Sequence, residues 1–260
     1  MLSYQHIYHA GNLADLHKHA LLAAALDHMT RKDKPMSYLE THAGRGLYQL
    51  DSAEARRTGE AAAGIDRALA EGWFAPGHPF LRYLAEVRAV AGPRAYPGSP
   101  MIAAVALRPG DAMHLAELHP QEHAALAEAL HPWTDMCHRE DGFAMALSRT
   151  PPDPRRGLLL CDPSFEVKTD YDTVPDFLQK LHRKWNVGVL MLWYPVLAAG
   201  LHQGMVRSLR AAFPEALSHE VRFPPARPGH GMVGSGVFVI NPPWGLADEA
   251  ARLSARFARL

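Results

Sequence analysis

Apolar positions along the chain change period repeatedly, and the changes mark its elements. From Asn12 to about Lys32 the residues Leu13, Leu16, Ala20, Ala23 and Ala24 recur at helical spacing. Asn12 is placed to cap that helix and Asp15 to add a negative charge to its first turn. Pro35 ends the pattern, Met36-Ser37-Tyr38-Leu39-Glu40 reads as a first strand, and the small-residue turn Thr41-His42-Ala43-Gly44-Arg45-Gly46 follows. Residues 47–93 are rich in Ala, Glu and Arg, with helical patterns over Ala61–Leu69 and Phe80–Val90. They predict a small helical subdomain inserted into a domain made of residues 1–46 and 94–260. Tyr96-Pro97-Gly98-Ser99-Pro100 then feeds a new helix, with Ser99 as its cap and Pro100 in its first position.

Alternation of strand and helix resumes from there. Ala112–Leu118 reads as a strand, Pro120–Leu130 as a helix and Met136–Arg139 as a short strand. Gly157-Leu158-Leu159-Leu160-Cys161 is a continuous apolar run, the signature of a strand buried on both faces. Helices over Tyr171–Trp185 and His202–Phe213 and strands over Val187–Tyr194, Leu217–Phe223 and Gly236–Asn241 complete the series. The expected fold is α/β, a doubly wound and mostly parallel sheet. Such sheets bind ligands beyond the carboxyl ends of their strands.

The chemistry follows from what sits at those ends. Asp162-Pro163-Ser164-Phe165 lies directly after the buried strand, an order of acid, proline, small residue and aromatic suited to gripping the amino group of a flat heterocycle. The Ala43-Gly44-Arg45-Gly46 turn lacks the three-glycine dinucleotide fingerprint. Glu117 ends the next long strand, where a carboxylate can accept from both hydroxyls of a ribose, and Asp141-Gly142 follows a third strand, where an acid can accept from an adenine amino group. About 70 positions separate Gly46 from Glu117, against the ~20 usual between such a glycine loop and its acid, which again implies the insertion. These loops describe a site for NAD or S-adenosylmethionine, and the Asp162 motif favours the latter. Adenine's exocyclic nitrogen is a poor nucleophile because its lone pair is delocalised into the ring. Acceptance of its hydrogens by Asp162 and the Pro163 carbonyl localises that pair toward a sulfonium methyl, while Phe165 stacks on the base. Asn241-Pro242-Pro243-Trp244 also follows an apolar strand, but after the last one and far from the cofactor loops, and reads as a rigid loop with a packed tryptophan.

Composition narrows the class. Among 260 residues, 48% are apolar and 21% charged, as in an ordinary globular domain. No apolar run is long enough to span a bilayer and Met1-Leu2-Ser3-Tyr4-Gln5-His6 lacks the regions of a signal peptide, so a cytoplasmic protein is expected. Lys plus Arg balances Asp plus Glu at 27 each, so any nucleic-acid contact must be local and its salt dependence modest. Cys137 and Cys161 do not suggest a disulfide framework. No metal is expected: of the 16 histidines, His17 and His19 are two apart on a helix and face different ways.

Together these residues resemble the bacterial 23S ribosomal RNA adenine-N6 methyltransferases of the RlmJ type. The likeness runs from Met1-Leu2-Ser3-Tyr4 through His9-Ala10-Gly11-Asn12, Lys18-His19, Thr41-His42-Ala43-Gly44, Tyr96-Pro97-Gly98-Ser99-Pro100 and Glu117-Leu118-His119-Pro120. It continues in Asp141-Gly142-Phe143, Lys168-Thr169-Asp170-Tyr171, Leu192-Trp193-Tyr194-Pro195 and Asn241-Pro242-Pro243-Trp244. The resemblance implies a class I S-adenosylmethionine-dependent methyltransferase fold, Rossmann-like with a helical insertion, acting on the N6 of one 23S rRNA adenine, the family's position 2030. It implies cofactor contacts from Lys18, His19, His42, Gly44, Ser99, Glu117, Asp141 and Gly142, catalysis by Asp162 with Pro163 and Phe165, and substrate contacts from Tyr4 and Ser164. The expected partner is 23S rRNA, naked or in early assembly, and the expected state a monomer. The family pattern at the catalytic motif is Asp-Pro-Pro-Tyr, whereas this chain has Ser164 and Phe165. Phe165 can still stack, but Ser164 gives up backbone rigidity, so slower chemistry is expected. The same chemistry on DNA, a noncatalytic nucleic-acid-binding protein and a small-molecule methyltransferase are the rival readings.

Overall fold

The computed structural model describes residues 5–227, 229 and 231–260; Tyr4 and the rest of the Met1-Leu2-Ser3-Tyr4 motif lie outside them. Helix α1, Leu13–Thr30, begins where Asn12 Oδ1 accepts the Asp15 N–H at 2.9 Å, the cap that its sequence predicts. It leads into strand β1, Ser37–Glu40, whose four residues are all buried. The stretch 47–93 contains β2 (Leu47–Gln49), α2 (Ala53–Thr58), a π-turn at Ala62–Asp66, α3 (Arg67–Ala70) and α4 (Pro79–Ala91). β2 of this stretch pairs antiparallel with β3 (Ala95–Pro97). Ala61, Ile65, Phe80, Leu84 and Val87 from the stretch pack in one apolar cluster with Leu21, Leu22 and Leu26 of α1.

The remaining elements alternate: α5 (Ser99–Ala106), β4 (Ala112–Ala116), α6 (Pro120–Leu130), β5 (Cys137–His138), α7 (Gly142–Arg149), β6 (Gly157–Cys161), α8 (Asp170–Lys184), β7 (Val189–Leu197), α9 (His202–Ala212), β8 (Leu217–Arg222), β9 (Met232–Ile240) and α10 (Leu246–Phe257). Seven strands form one sheet in the order β5-β4-β1-β6-β7-β9-β8, with β9 alone antiparallel to its neighbours. One apolar cluster joins α1, α4, α5 and α10 to one face; the other joins α7, α8 and α9 to the opposite face. All five residues of β6 are buried, as its unbroken apolar run predicts.

Two local expectations need correction. Ser99 does not cap α5: Gly98 holds the extended cap position, Ser99 is the first helical residue, and its hydroxyl turns inward to Glu40. β9 starts at Met232 rather than Gly236, because its glycines serve packing: a Cβ on Gly236 would stand 2.1 Å from the Tyr194 ring. The same logic governs Gly142 at the start of α7, where a Cβ would lie 1.8 Å from the Thr41 carbonyl oxygen. Alanine in a helix is ordinarily better than glycine by about 1 kcal/mol, but the backbone of Thr41 cannot yield like a side chain. Gly142→Ala is therefore expected to destabilise the protein by about 1–3 kcal/mol, read as a lowered melting temperature, where propensity alone would give a rise.

Candidate active site

A cavity of about 270 Å³ opens at the carboxyl ends of β1, β4 and β6 and beside the middle of β7, walled on one side by α1. Lys18, His19, His42, Gly44, Ser99, Glu117, Asp162 and Ser164 all line it, as do Asp15 and Trp193. Four other residues singled out in the sequence lie close by but outside the lining. Asp141 caps α7, its Oδ1 accepting the Ala144 N–H at 2.8 Å, and Gly142 is buried against Thr41. Pro163 is buried, and Phe165 is only 7% exposed, its ring packed on Tyr171 with centroids 4.7 Å apart. Phe165 also holds a left-handed backbone, φ 55°, a costly conformation for an aromatic residue that marks the loop as constrained.

The floor of the cavity is a line of buried charge. Lys18 Nζ donates to Asp162 Oδ2 at 2.6 Å and lies 3.5 Å from Asp15 Oδ1. Burial alone would lower the Lys18 pKa, but the two carboxylates overcome it and hold the amine charged, above its ordinary range. Burial likewise opposes ionisation of Asp15, yet His6 at 2.8 Å and the Lys18 ammonium keep its pKa far below the usual carboxylate range. Asp15 also accepts the Gly11 N–H at 2.9 Å, so one acid ties the approach to α1 to the site. Asp162 lines the cavity with Oδ2 engaged by Lys18, and a carboxylate has a second oxygen with which to accept.

Imidazoles and acids complete the walls. His19 and His42 are both pushed down by burial, to about 3 and about 4, so each is a neutral donor or acceptor. His19 Nδ1 is bonded to the Tyr96 hydroxyl at 2.9 Å, but its buried Nε2 has no hydrogen-bond partner among the described residues, with Asp15 Oδ1 3.9 Å away. His17 points the other way, to Ser235 and His219, so the two imidazoles diverge as their spacing predicts. Glu117 accepts the N–H groups of Gly44 and His119 at 2.8 and 2.7 Å, which fixes the carboxylate over the glycine turn. Its pKa is raised, by burial, against those donors. Glu40 was not singled out in the sequence. It ends β1 fully buried, accepting from Ser99 Oγ at 2.5 Å and Tyr38 at 2.7 Å, and burial pushes its pKa up to about 8. Trp193 was quoted only within a motif, and Asp15 only as a first-turn charge. Their signals were present, as the i, i+3 and i+4 spacing of Asp15, Lys18 and His19 and a tryptophan late in a buried strand.

The alternative motif is at the wrong edge. β9 runs antiparallel, so Asn241 emerges beside the start of β7, its Nδ2 donating to the carbonyls of Asn186 and Gly188 at 2.9 Å each. Trp244 is 82% exposed rather than packed, because the loop leaves the sheet at that edge; the His28 ring lies 6.4 Å from its own.

Six parallel strands in Rossmann order, with an antiparallel strand slipped beside the last, and a glycine turn and acids at their carboxyl ends, define a class I S-adenosylmethionine-dependent methyltransferase. The donor set suits that cofactor: a buried His19 Nε2 with no hydrogen bond among the described residues, a Glu117 carboxylate over the turn, and a Gly44 at φ 60° where a Cβ would crowd the Tyr48 hydroxyl at 2.7 Å. The family described as Ribosomal RNA large subunit methyltransferase D, RlmJ, matches residues 33–258. Ribosomal RNA large subunit methyltransferase J of Escherichia coli is 38% identical over 96% of this chain and 90% of its own length, and that of Haemophilus influenzae 37% identical over the same shares. A crystal structure of a Legionella pneumophila protein superposes with a TM-score of 0.85 at 32% identity, covering 95% of this chain and 92% of that one. The chain belongs to the RlmJ family of ribosomal RNA large subunit methyltransferases.

The buried Glu40 makes stability depend on pH. Its folded pKa of about 8 lies above the ordinary 4.5, so between those values the folded state holds a proton that the unfolded state has lost. Its contribution is therefore complete at low pH and is lost as pH rises through that window. Melting curves from about pH 5 to about pH 8 should show Glu40→Gln gaining on the wild type as pH rises; a constant difference would show that Glu40 is ionised in both states.

Proposed function

We propose that this protein transfers the methyl group of S-adenosylmethionine to the N6 amino group of one adenine in 23S rRNA. The carrying observation is Asp162: just past the buried strand, it lines the cavity with one carboxylate oxygen held by Lys18. The cofactor supplies an electrophilic methyl on a sulfonium. The chain's own residues hold and orient the acceptor. Asp162 Oδ1 accepts one N6 hydrogen and the Pro163 carbonyl the other, which localises the nitrogen lone pair along the line of attack. The proton that N6 sheds is taken up at Asp162 Oδ1, the oxygen not engaged by Lys18. Lys18 keeps that carboxylate in one rotamer, and orientation of this kind supplies much of the acceleration in a two-body transfer.

On the cofactor side the reading assigns His19, His42, Gly44, Ser99 and Glu117 direct contacts, with Lys18, Asp141 and Gly142 shaping the loops around them. On the substrate side it assigns Ser164 and Tyr4. Phe165 stacks on the base only if its ring turns out from Tyr171. The family's position 2030 is the target this reading carries over, with naked or early-assembly 23S rRNA as partner, a monomer as the working unit and the cytoplasm as its place. No helix among the described residues is long and apolar enough to cross a membrane. The stretch 47–93 is proposed to act as an inserted subdomain that extends the RNA-facing side.

The test is methylation of unmodified 23S rRNA with labelled cofactor, followed by digestion and identification of the nucleoside. N6-methyladenosine at one position is the expected product; label on DNA adenine alone, or on no nucleic acid, would overturn the reading. Asp162→Asn keeps the shape beside Lys18 but loses the carboxylate, and turnover is expected to fall by about 100-fold or more with cofactor affinity little changed.

A further inference from the structure

Trp193 lies midway along β7, one residue past the Leu192 that pairs with Cys161 at the end of β6, and lines the cavity between α1 and the Asp162 loop. Its Nε1–H donates inward to Ser235 Oγ at 2.9 Å. Ser235, fully buried, is also 2.9 Å from His17 Nδ1; His17 Nε2 is 2.9 Å from His219 Nδ1, and His219 Nε2 is 2.7 Å from Ser254 Oγ at the surface. An indole N–H can only donate. The assignment that gives every proton in the chain an acceptor therefore runs outward: Trp193 to Ser235, Ser235 to His17, His17 to His219, His219 to Ser254. It requires a neutral His17, and burial holds the His17 pKa well below its ordinary value.

This buried line takes no part in the chemistry assigned to Asp162, yet it ends on an indole ring near that residue. Lys18 Nζ is 5.6 Å from the Trp193 ring centroid and 2.6 Å from Asp162 Oδ2, so the ring and the carboxylate flank the same ammonium. Phe165, the expected stacking residue, is instead buried on Tyr171. With its N–H tethered to the protein interior, Trp193 keeps a ring surface for the cavity. We propose that Trp193 is the wall on which the target base lies, and that His17, acting through Ser235, is the positioning residue that holds the indole there. The inference rests on the adenine-N6 reading and adds to it the residue that supplies the flat contact.

The experiment is steady-state methylation of unmodified 23S rRNA at saturating cofactor, with cofactor Kd measured on every variant. Trp193→Ala is expected to raise KM for RNA about ten- to hundredfold, the range of one lost base–aromatic stack, with cofactor Kd unchanged. Trp193→Phe keeps a ring without the N–H. Ser235→Ala and His17→Gln are each expected to raise KM severalfold in the wild-type background and to add nothing in the Trp193→Phe background, the non-additivity of groups acting through one contact. A merely structural role would shift cofactor Kd and melting temperature and would add in both backgrounds. An unchanged KM in a folded Trp193→Ala overturns the wall, and equal effects of Ser235→Ala in both backgrounds overturn the positioning. A wild type that makes no N6-methyladenosine overturns the functional reading itself, and this inference with it.

Discussion

The arrangement hangs on one buried ion line, Asp15 to Lys18 to Asp162, with Lys18 Nζ 3.5 Å from one acid and 2.6 Å from the other. Taking a lysine out of water is expensive, and removing one partner of such a set typically costs about 3–5 kcal/mol. The cost falls on the joint between α1 and the end of β6. It commits the helix to one rotation, with Lys18 toward the carboxylate, His19 toward Tyr96 and His17 toward Ser235. The same ammonium stiffens the acid that the proposed chemistry uses. Stability at this joint and orientation of the acceptor are thus the same interaction.

That commitment explains why α1 is buried on nearly every side, unlike a helix with a single apolar stripe. The sheet covers one flank through β9 and α10 covers another, while the π-turn and α4 cover a further side. Ile65 from the π-turn and Phe80, Leu84 and Val87 from α4 are the residues that do it. Those residues therefore support the site from behind, through α1. The glycines serve the same close packing: Gly64 has a backbone so near Gly11 that a Cβ would lie 2.0 Å from the Gly11 carbonyl oxygen.

Much of this was legible in the chain. The cap at Asn12, the helix Pro120–Leu130 and the buried strand before Asp162 follow from local pattern, because caps, proline positions and apolar runs act within a few residues. The eight cavity-lining residues expected from the sequence do meet there, brought together by strand order. What pattern missed depends on distance. Glu40 reads as the polar end of a strand, and only its burial beside Ser99 and Tyr38 makes it a proton-holding group. Phe165 reads as an aromatic free to stack, while the fold turns it onto Tyr171.

The sequence by itself determined the class of fold, the order of strands and helices, and the acid at the end of the central strand, since each is written in periodicity and in residue type at a turn. The tertiary structure alone decided which polar groups face one another. His17 and Ser235, or Lys18 and Asp162, are far apart in the chain and carry no mark of their partners. Their pairing is settled by how α1 lies across the sheet, and that is set by apolar packing on all of its sides at once, a property no window of sequence contains.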